Sequence, residues 1–204
     1  MASLLEIHPQ NPQMRLIEKA VEQIRKGAVV IYPTDSSYAI GCHMGDKAAQ
    51  DRIRQIRRLS DKHDFTLMCH DLSQASEYAT FDKSTFRMLK AHTPGPFTFL
   101  LQAGRAVPKR LVNPKRKTIG IRLAENPIVD ALLAELHEPM MSVTMQLPDA
   151  DWPIAEVDDI PDFLEKQVDI IIDGGHCGTE PTTVVDLQSG EPVVIRQGRG
   201  LLFN

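Results

Sequence analysis

Residues 28–38 read AVVIYPTDSSY, and no other segment says more about the architecture of this chain. Residues 28–32 form a continuous apolar run rich in β-branched side chains, which is typical of a strand buried on both faces. Pro33 ends that run, and four small polar residues follow it. Because open α/β sheets tend to bind ligands where strands end, we expect this turn to line a ligand-binding crevice. A simple capped turn uses the same residue types.

Helical and extended patterns alternate on both sides of this strand. Helices are predicted over residues 13–26, 46–58, 84–91, 127–136 and 160–167. Further strands are predicted over residues 65–69, 97–102, 118–123, 140–145, 169–172, 183–187 and 193–196. Short turns join several of the last strands, so we predict a mixed sheet in an α/β (α+β) fold. The acidic, proline-containing stretch 148–161 is predicted to be a mobile surface loop.

Length and composition are those of an ordinary globular protein. The chain has 204 residues, of which 42% are hydrophobic and 25% charged, so we predict one domain, residues 1–204. No apolar run reaches the ~18 residues of a membrane helix, and residues 1–10 lack a signal-peptide layout. We therefore expect a cytoplasmic protein, without membrane contact, that is a monomer or a weak homodimer.

Cysteines and histidines give no sign of a metal site. Three widely spaced cysteines favour buried thiols over a disulfide framework. The seven histidines are scattered, and no HExxH, CxxC, GxxxxGK[ST] or GxGxxG motif is present. No tightly bound protein metal is expected.

Charge is sorted along the chain. Residues 51–122 carry fifteen Lys and Arg against six Asp and Glu, whereas residues 123–204 carry three against sixteen. The two segments can neutralise each other across the folded surface, or the basic one can bind phosphates. Residues 105–122 contain no acidic residue, which predicts binding of polyanions such as RNA by counterion release, whatever their sequence. The candidate RNA-binding residues are Arg105, Lys109, Arg110, Lys115, Arg116 and Lys117.

Hydroxyl side chains recur at other predicted strand ends. Side chains alternate along a strand, so residues two apart share a face. Two such sets are Thr118 with Gly120 and Arg122, and Ser142 with Thr144 and Gln146. Glycine leaves room between its neighbours, and hydroxyls suit a ligand with amino, carboxylate and ribose groups.

Six sequence blocks, in order, resemble the YrdC-like family. They are YPTDS (32–36) with Gly41, TPGPFT (93–98), TIGIR (118–122), GG (174–175), TTVVD (182–186) and VIRQG (194–198). The resemblance runs from about Gln13 to Gly198, and residues 61–72 and the last strand are most similar to the YciO branch. It implies a twisted, open mixed sheet flanked by helices, with a basic concave cleft.

The resemblance also implies an activity. The family is associated with double-stranded RNA or tRNA, and its enzymes make L-threonylcarbamoyl-adenylate from L-threonine, bicarbonate and ATP. That product leads to the threonylcarbamoyladenosine modification of tRNA. ATP would then be a substrate, with Mg²⁺ accompanying it. Matching positions imply threonine binding by Thr34, Arg122, Ser142 and Thr182, and nucleotide binding by Thr118, Thr144 and Arg196.

This chain departs from the enzyme pattern at two motifs. Catalytic relatives carry Lys-x-Arg after the basic helix and Ser-x-Asn after a later strand. Here the pairs are Arg57 with Leu59, and Thr144 with Gln146. Arg57, Thr144 and Gln146 are therefore the candidate catalytic residues, and Arg57 is also expected to bind ATP.

Leu59 removes a cation that a neighbouring residue would have to replace. Arg58 and Lys62 are the candidates, and both are expected at the nucleotide. The first hypothesis is a nucleotidyltransferase of the threonylcarbamoyl-AMP synthase type with weakened activity. The second is a non-catalytic double-stranded RNA or tRNA-binding protein, and a third is an enzyme acting on another nucleotide and acid. The enzyme hypothesis requires Arg122 and Arg196 to face one anion-accepting pocket.

Overall fold

The chain forms eleven strands and six α-helices within residues 1–60 and 62–203, the part that the computed structural model describes. The strands are β1 (Ser3–Glu6), β2 (Val30–Tyr32), β3 (Ala39–His43), β4 (Thr66–Met68), β5 (Ala79–Thr80), β6 (Phe97–Ala103), β7 (Thr118–Arg122), β8 (Met140–Thr144), β9 (Ile170–Asp173), β10 (Thr183–Asp186) and β11 (Val193–Arg196). The helices are α1 (Met14–Arg25), α2 (Lys47–Arg57), α3 (Leu72–Tyr78), α4 (Lys83–His92), α5 (Pro127–Leu136) and α6 (Asp162–Glu165). Asp61, which opens the segment 61–72, lies outside the described residues.

All the strands belong to one sheet, in the order β1-β9-β2-β3-β8-β4-β7-β6-β10-β11, and β5 pairs with the end of β6. Some neighbours are parallel, such as β4 with β7 and β6 with β10. Others are antiparallel, such as β3 with β8 and β6 with β7. The prediction of a mixed α/β sheet is therefore confirmed.

The segment 28–38 forms β2 and the turn of a hairpin. The following strand, β3, pairs with β2 in antiparallel fashion and was not predicted. Gly41 interrupts its apolar pattern for a steric reason, because a Cβ there would lie 2.7 Å from the Met141 carbonyl oxygen on β8. The sequence also missed β1, α3 and β5, and the helix predicted over residues 160–167 shrinks to α6.

One face of the sheet is packed against helices α2, α3, α4 and α6. Alternate strand residues such as Ile40, Phe99 and Ile121 form an apolar core with Ile53 of α2 and Leu89 of α4. Burying each such side chain contributes about 1.5–3 kcal/mol to the folding free energy. This face holds the larger of the two apolar clusters.

The opposite face is covered by helices over only one half. There α1 and α5 pack Ile17, Val21 and Leu132 against Tyr32 and Ile172. On the other half, the strands line an open cleft with threonines and with apolar residues such as Leu100 and Val184. This face of the sheet is thus only half covered by helices, and the cleft occupies the uncovered half.

Two other expectations concern whole-chain properties. Within the described ranges, no helix is long and apolar enough to cross a bilayer. The three cysteines are free thiols: Cys42 and Cys69 are buried, and Cys177 is half-buried. Burial raises the pKa of Cys42 and Cys69 to about 12, so both stay protonated at neutral pH.

Candidate functional site

A cleft of about 370 Å³ occupies the open half of the sheet. Its floor is one face of four strands, with Thr66 on β4, Thr98 and Leu100 on β6, Thr144 at the end of β8, and Val184 on β10. The register aligns these positions: Thr66 lies opposite Ser142, and Val184 lies opposite Thr98. The volume falls within the ~300–1,000 Å³ of pockets that bind small molecules and cofactors.

Two arginines face the cleft, and both are held by uncharged partners. Arg57 Nε donates to the Thr144 carbonyl oxygen at 2.8 Å, and its Nη1 donates to the carbonyl oxygen of Gln146. Arg196 Nη2 donates to the Thr182 carbonyl oxygen at 2.9 Å. Neither forms an ion pair with any carboxylate in the described part of the chain. Their charges therefore remain free to attract an anion.

Partial desolvation makes it less favourable for these two arginines to carry their charge. It lowers the pKa of the Arg57 and Arg196 guanidiniums, although arginine remains protonated in proteins. The positive charge of Arg122 lowers the pKa of Arg196 further. A partly desolvated cation next to another cation gains most from a bound anion. Arg196 lines the cleft, whereas Arg122 is buried and is not among the residues that line it.

A buried polar cluster lies under the turn that follows β2. Arg122 Nη2 donates to Thr34 Oγ1 at 2.9 Å, to Ser36 Oγ at 2.9 Å and to Asp35 Oδ1 at 2.5 Å. The other Asp35 oxygen accepts the Glu125 backbone N–H at 2.9 Å. The Arg122 Nε has no hydrogen-bond partner among the described residues. The guanidinium is therefore tied down on one edge and has an unused donor on another.

Ser142 and Thr182 form hydrogen bonds with residues outside this cluster. Ser142 Oγ lies 2.5 Å from the Tyr32 hydroxyl, whose pKa is raised to about 12 by burial. Thr182 Oγ1 lies 2.9 Å from Thr98 Oγ1, and both threonines line the cleft. The four residues predicted to bind threonine are all buried. Two of them, Thr34 and Arg122, touch directly.

Gln146 lies in the cleft wall, but its side chain is engaged. β8 ends at Thr144, so the alternation that placed Ser142, Thr144 and Gln146 on one face stops before Gln146. Its amide Nε2 donates to the Ala150 carbonyl oxygen at 2.8 Å. Gln146 therefore braces the loop after β8, while Thr144 lines the floor.

The other candidates for the nucleotide lie away from the cleft. Arg58 adopts a left-handed conformation with φ of 49° after α2, and it pairs at 3.3 Å with Asp149 beside a separate cavity. Leu59 packs against the apolar core, and Lys62 is exposed outside the cleft lining. The Thr118 hydroxyl is buried without a partner among the described residues and does not line the cleft. Among the cations at the end of α2, Arg57 is the one that lines the cleft.

Two of the six candidate RNA-binding residues, Arg110 and Arg116, have partners within the protein. Arg110 donates to Gln50 Oε1 at 2.6 Å and to the Gly45 carbonyl oxygen at 2.9 Å. Arg116 pairs with Asp64 at 2.6 Å. The remaining residues of the predicted RNA surface are exposed and are Arg105, Lys109, Lys115 and Lys117.

Two parts of the cleft wall were not predicted from local patterns. His63 lines it, and burial together with the nearby Arg57 charge lowers its pKa. Residues 151–153 line it from the stretch predicted to be a surface loop. That prediction is wrong for Ile154, which is buried and whose N–H donates to the Met145 carbonyl oxygen at 2.8 Å. A Trp-Pro pair within an acidic stretch was the only signal in the sequence.

Comparison with known sequences identifies relatives along nearly the whole chain. A family model named Sua5_yciO_yrdC, described as Telomere recombination, matches residues 22–198. The uncharacterized protein YciO of Escherichia coli K12 is 52% identical over 200 residues, covering 98% of this chain and 97% of its own. A threonylcarbamoyl-AMP synthase of Vibrio vulnificus YJ016 is 26% identical over 187 residues, covering 89% of this chain and 98% of its own.

Solved structures agree with the sequence comparison. The crystal structure of E. coli YciO matches with a TM-score of 0.95, covering 98% of this chain and 97% of that chain. P. abyssi Sua5, in a crystal structure with L-threonine, matches at 22% identity with a TM-score of 0.88, covering 97% of this chain and 58% of that chain. The second likeness concerns the fold alone. With the match over residues 22–198 and 52% identity to YciO, this chain belongs to the Sua5/YciO/YrdC family.

Proposed function

We propose that this protein is a nucleotidyltransferase that joins a carbamoylated amino acid to AMP in its cleft, as threonylcarbamoyl-AMP synthases do. The observation that carries the proposal is the pair of guanidiniums, half-buried Arg57 and exposed Arg196, that line one cleft and bind only uncharged oxygens. An uncompensated double charge of this kind favours a polyphosphate. The 26% identity to a threonylcarbamoyl-AMP synthase over 187 residues supports the same chemistry.

The proposed reaction needs positioning and charge stabilisation more than it needs a nucleophilic side chain. The amine of L-threonine and bicarbonate give a carbamate with loss of water, and a carbamate oxygen attacks the α-phosphorus as pyrophosphate leaves. Arg57 and Arg196 would hold the phosphates and offset the charge that develops on the leaving group. Arg122, through its free Nε, would hold the threonine carboxylate with Thr34, Ser142 and Thr182 alongside, which fixes the reacting groups in place.

Mg²⁺ would enter with ATP and supply further positive charge to its phosphates. It binds few protein carboxylates at nucleotide sites and keeps several waters. Asp151 in the cleft wall can supply such a carboxylate, whereas Asp64 is engaged by Arg116 and Asn113. No cluster of three metal-ligating side chains is present in the described residues.

The activity should be slow compared with relatives that carry the Lys-x-Arg pattern. Leu59 packs in the core, so the cleft has one cation fewer. A charge-assisted hydrogen bond contributes about 1.5–3 kcal/mol. If that bond acts in the transition state, its absence lowers the rate by about ten- to a hundredfold.

Incubation with ATP, bicarbonate and labelled L-threonine should yield threonylcarbamoyl-adenylate and pyrophosphate in equal amounts. Omitting bicarbonate should abolish both products, because no carbamate can form. Chromatography of the labelled adenylate and a pyrophosphate assay measure the two yields. Neither product at protein concentrations matching the substrate would refute the proposal.

Duplex RNA binding is a second candidate function. Lys109, Lys115 and Lys117 are exposed and form no ion pair with the described carboxylates. We expect the logarithm of RNA affinity to fall linearly with the logarithm of salt concentration. Exchanging these three lysines for glutamine should reduce the slope by about three, because each lysine that no longer neutralises a phosphate lowers it by roughly one. Affinity that is insensitive to salt, or to this triple exchange, would exclude the candidate.

A further inference from the structure

The loop after β8 is held rigidly at the edge of the cleft. At its base, the Ile154 N–H donates to the Met145 carbonyl oxygen at 2.8 Å. Within it, the Gln146 amide donates to the Ala150 carbonyl oxygen at 2.8 Å. Arg57 holds the same stem through the carbonyl oxygens of Thr144 and Gln146. The loop is therefore fixed to the residues that face the proposed phosphate site.

This loop presents a tryptophan to the cleft. Trp152 is 67% exposed and is one of the residues that line the cavity. Pro153 follows it and restricts its backbone to extended conformations, so the indole is offered from a limited set of positions. A single exposed apolar side chain is common on protein surfaces. What distinguishes Trp152 is that it lies in the wall of a polar cleft, on a braced loop.

The rest of the wall suits a flat aromatic ligand group. Val184 on β10 and Ile195 on the adjacent β11 line the cleft, and β4, β7 and β6 lie between β10 and β8. Ile195 is itself 53% exposed. Arg57 and Arg196 complete the same cavity. One ligand with an apolar planar part and an anionic part therefore matches these apolar and cationic residues of the lining.

We propose that Trp152 is the base-stacking residue of the nucleotide site, with the indole against the purine and the phosphates toward Arg57 and Arg196. The inference rests on the proposed function, since it requires that the cleft bind a nucleotide. Stacking on an aromatic side chain tolerates any base, because every base has a π face. We therefore expect Trp152 to contribute to affinity for ATP and GTP alike and to contribute nothing to affinity for phosphates alone.

The protein is suited to a direct test because Trp152 is its single tryptophan. Titration with ATP should quench the intrinsic fluorescence, which reports on this position alone. By calorimetry, Trp152→Ala should weaken ATP binding by about tenfold or more, Trp152→Phe should retain most of the affinity, and binding of inorganic tripolyphosphate should be the same in all three proteins. Phe163→Ala is the matched control, since Phe163 is 54% exposed but lines a different cavity.

The outcomes separate the two levels of the proposal. ATP binding that leaves the fluorescence and the Trp152→Ala affinity unchanged would overturn the stacking role while leaving the nucleotide site in place. Equal weakening of ATP and tripolyphosphate would also overturn it, because the effect would then not concern the base. Failure of the wild-type protein to bind ATP or tripolyphosphate would overturn the proposed function together with this inference.

Discussion

Arg122→Met is expected to lower the free energy of unfolding by about 3–5 kcal/mol, because it leaves a carboxylate buried without its partner. The side chains of Arg122 and Asp35 are only 6% and 9% exposed, and they pair at 2.5 Å. The backbone N–H of Glu125 still donates to Asp35, which places the expected decrease toward the lower end of that range. Urea denaturation at constant pH, with the denaturant slope compared between proteins, measures the effect.

A double variant separates the structural role of Arg122 from its role in binding. Asp35→Asn combined with Arg122→Met removes both charges, so much of the stability should return. Threonine binding should be abolished in Arg122→Met and in the double variant alike, since the buried guanidinium is what we propose to hold the carboxylate. Recovery of threonine binding along with stability would show that Arg122 serves the fold alone.

Arg57→Gln is expected to weaken ATP binding by about ten- to a hundredfold, the effect of removing one charge-assisted hydrogen bond. The adjacent Arg58 is a matched control, because the left-handed turn after α2 directs its side chain to Asp149 beside another cavity. Arg58→Gln should leave ATP affinity within about twofold. Calorimetric titration measures both variants, and circular dichroism verifies that each is folded.

Two results would contradict this assignment. Equal weakening in the two variants would mean that ATP responds to the overall charge of the region rather than to a defined cleft. An unchanged affinity in Arg57→Gln would mean that the hydrogen bonds of Arg57 to backbone carbonyls are its entire role. Arg196→Gln provides an independent measure from the other end of the cleft.

Much of the fold followed from local patterns. The apolar run of 28–32 predicted a buried strand, and β2 lies there with every residue buried. The helical spacing before Gly27 predicted α1, whose Ile17, Ala20, Val21 and Ile24 face the core. By contrast, β3 was not predicted, because Gly41 interrupts its apolar pattern. A glycine is needed there since a larger residue would clash with the Met141 carbonyl oxygen on β8. Such a cause depends on tertiary neighbours and leaves no local pattern.

Strand alternation could place site residues only where they lie within a regular strand. Arg122 lies on β7 and Ser142 on β8, and the register places both on the same face of the sheet. Gln146 lies beyond the end of β8, where side chains no longer alternate between the two faces of a sheet. Gly120 was expected to make room for a ligand, but a Cβ there would lie 2.7 Å from Thr66 Oγ1, so the neighbouring strand requires the glycine.

The directions of the side chains at the end of α2 could not be predicted from the sequence either. Arg57 and Arg58 are neighbours in sequence, yet one lines the cleft and the other lines a separate cavity. The left-handed backbone at Arg58, which separates them, is a conformation that arginine seldom adopts. No sequence pattern predicts this conformation at Arg58.

A crystal structure with a non-hydrolysable ATP analogue tests the central claim most directly. We expect the triphosphate to contact the guanidiniums of Arg57 and Arg196, with the Arg122 side chain beside the α-phosphate end. A triphosphate bound instead on the exposed surface of Lys109, Lys115 and Lys117, with the cleft empty, would contradict that claim.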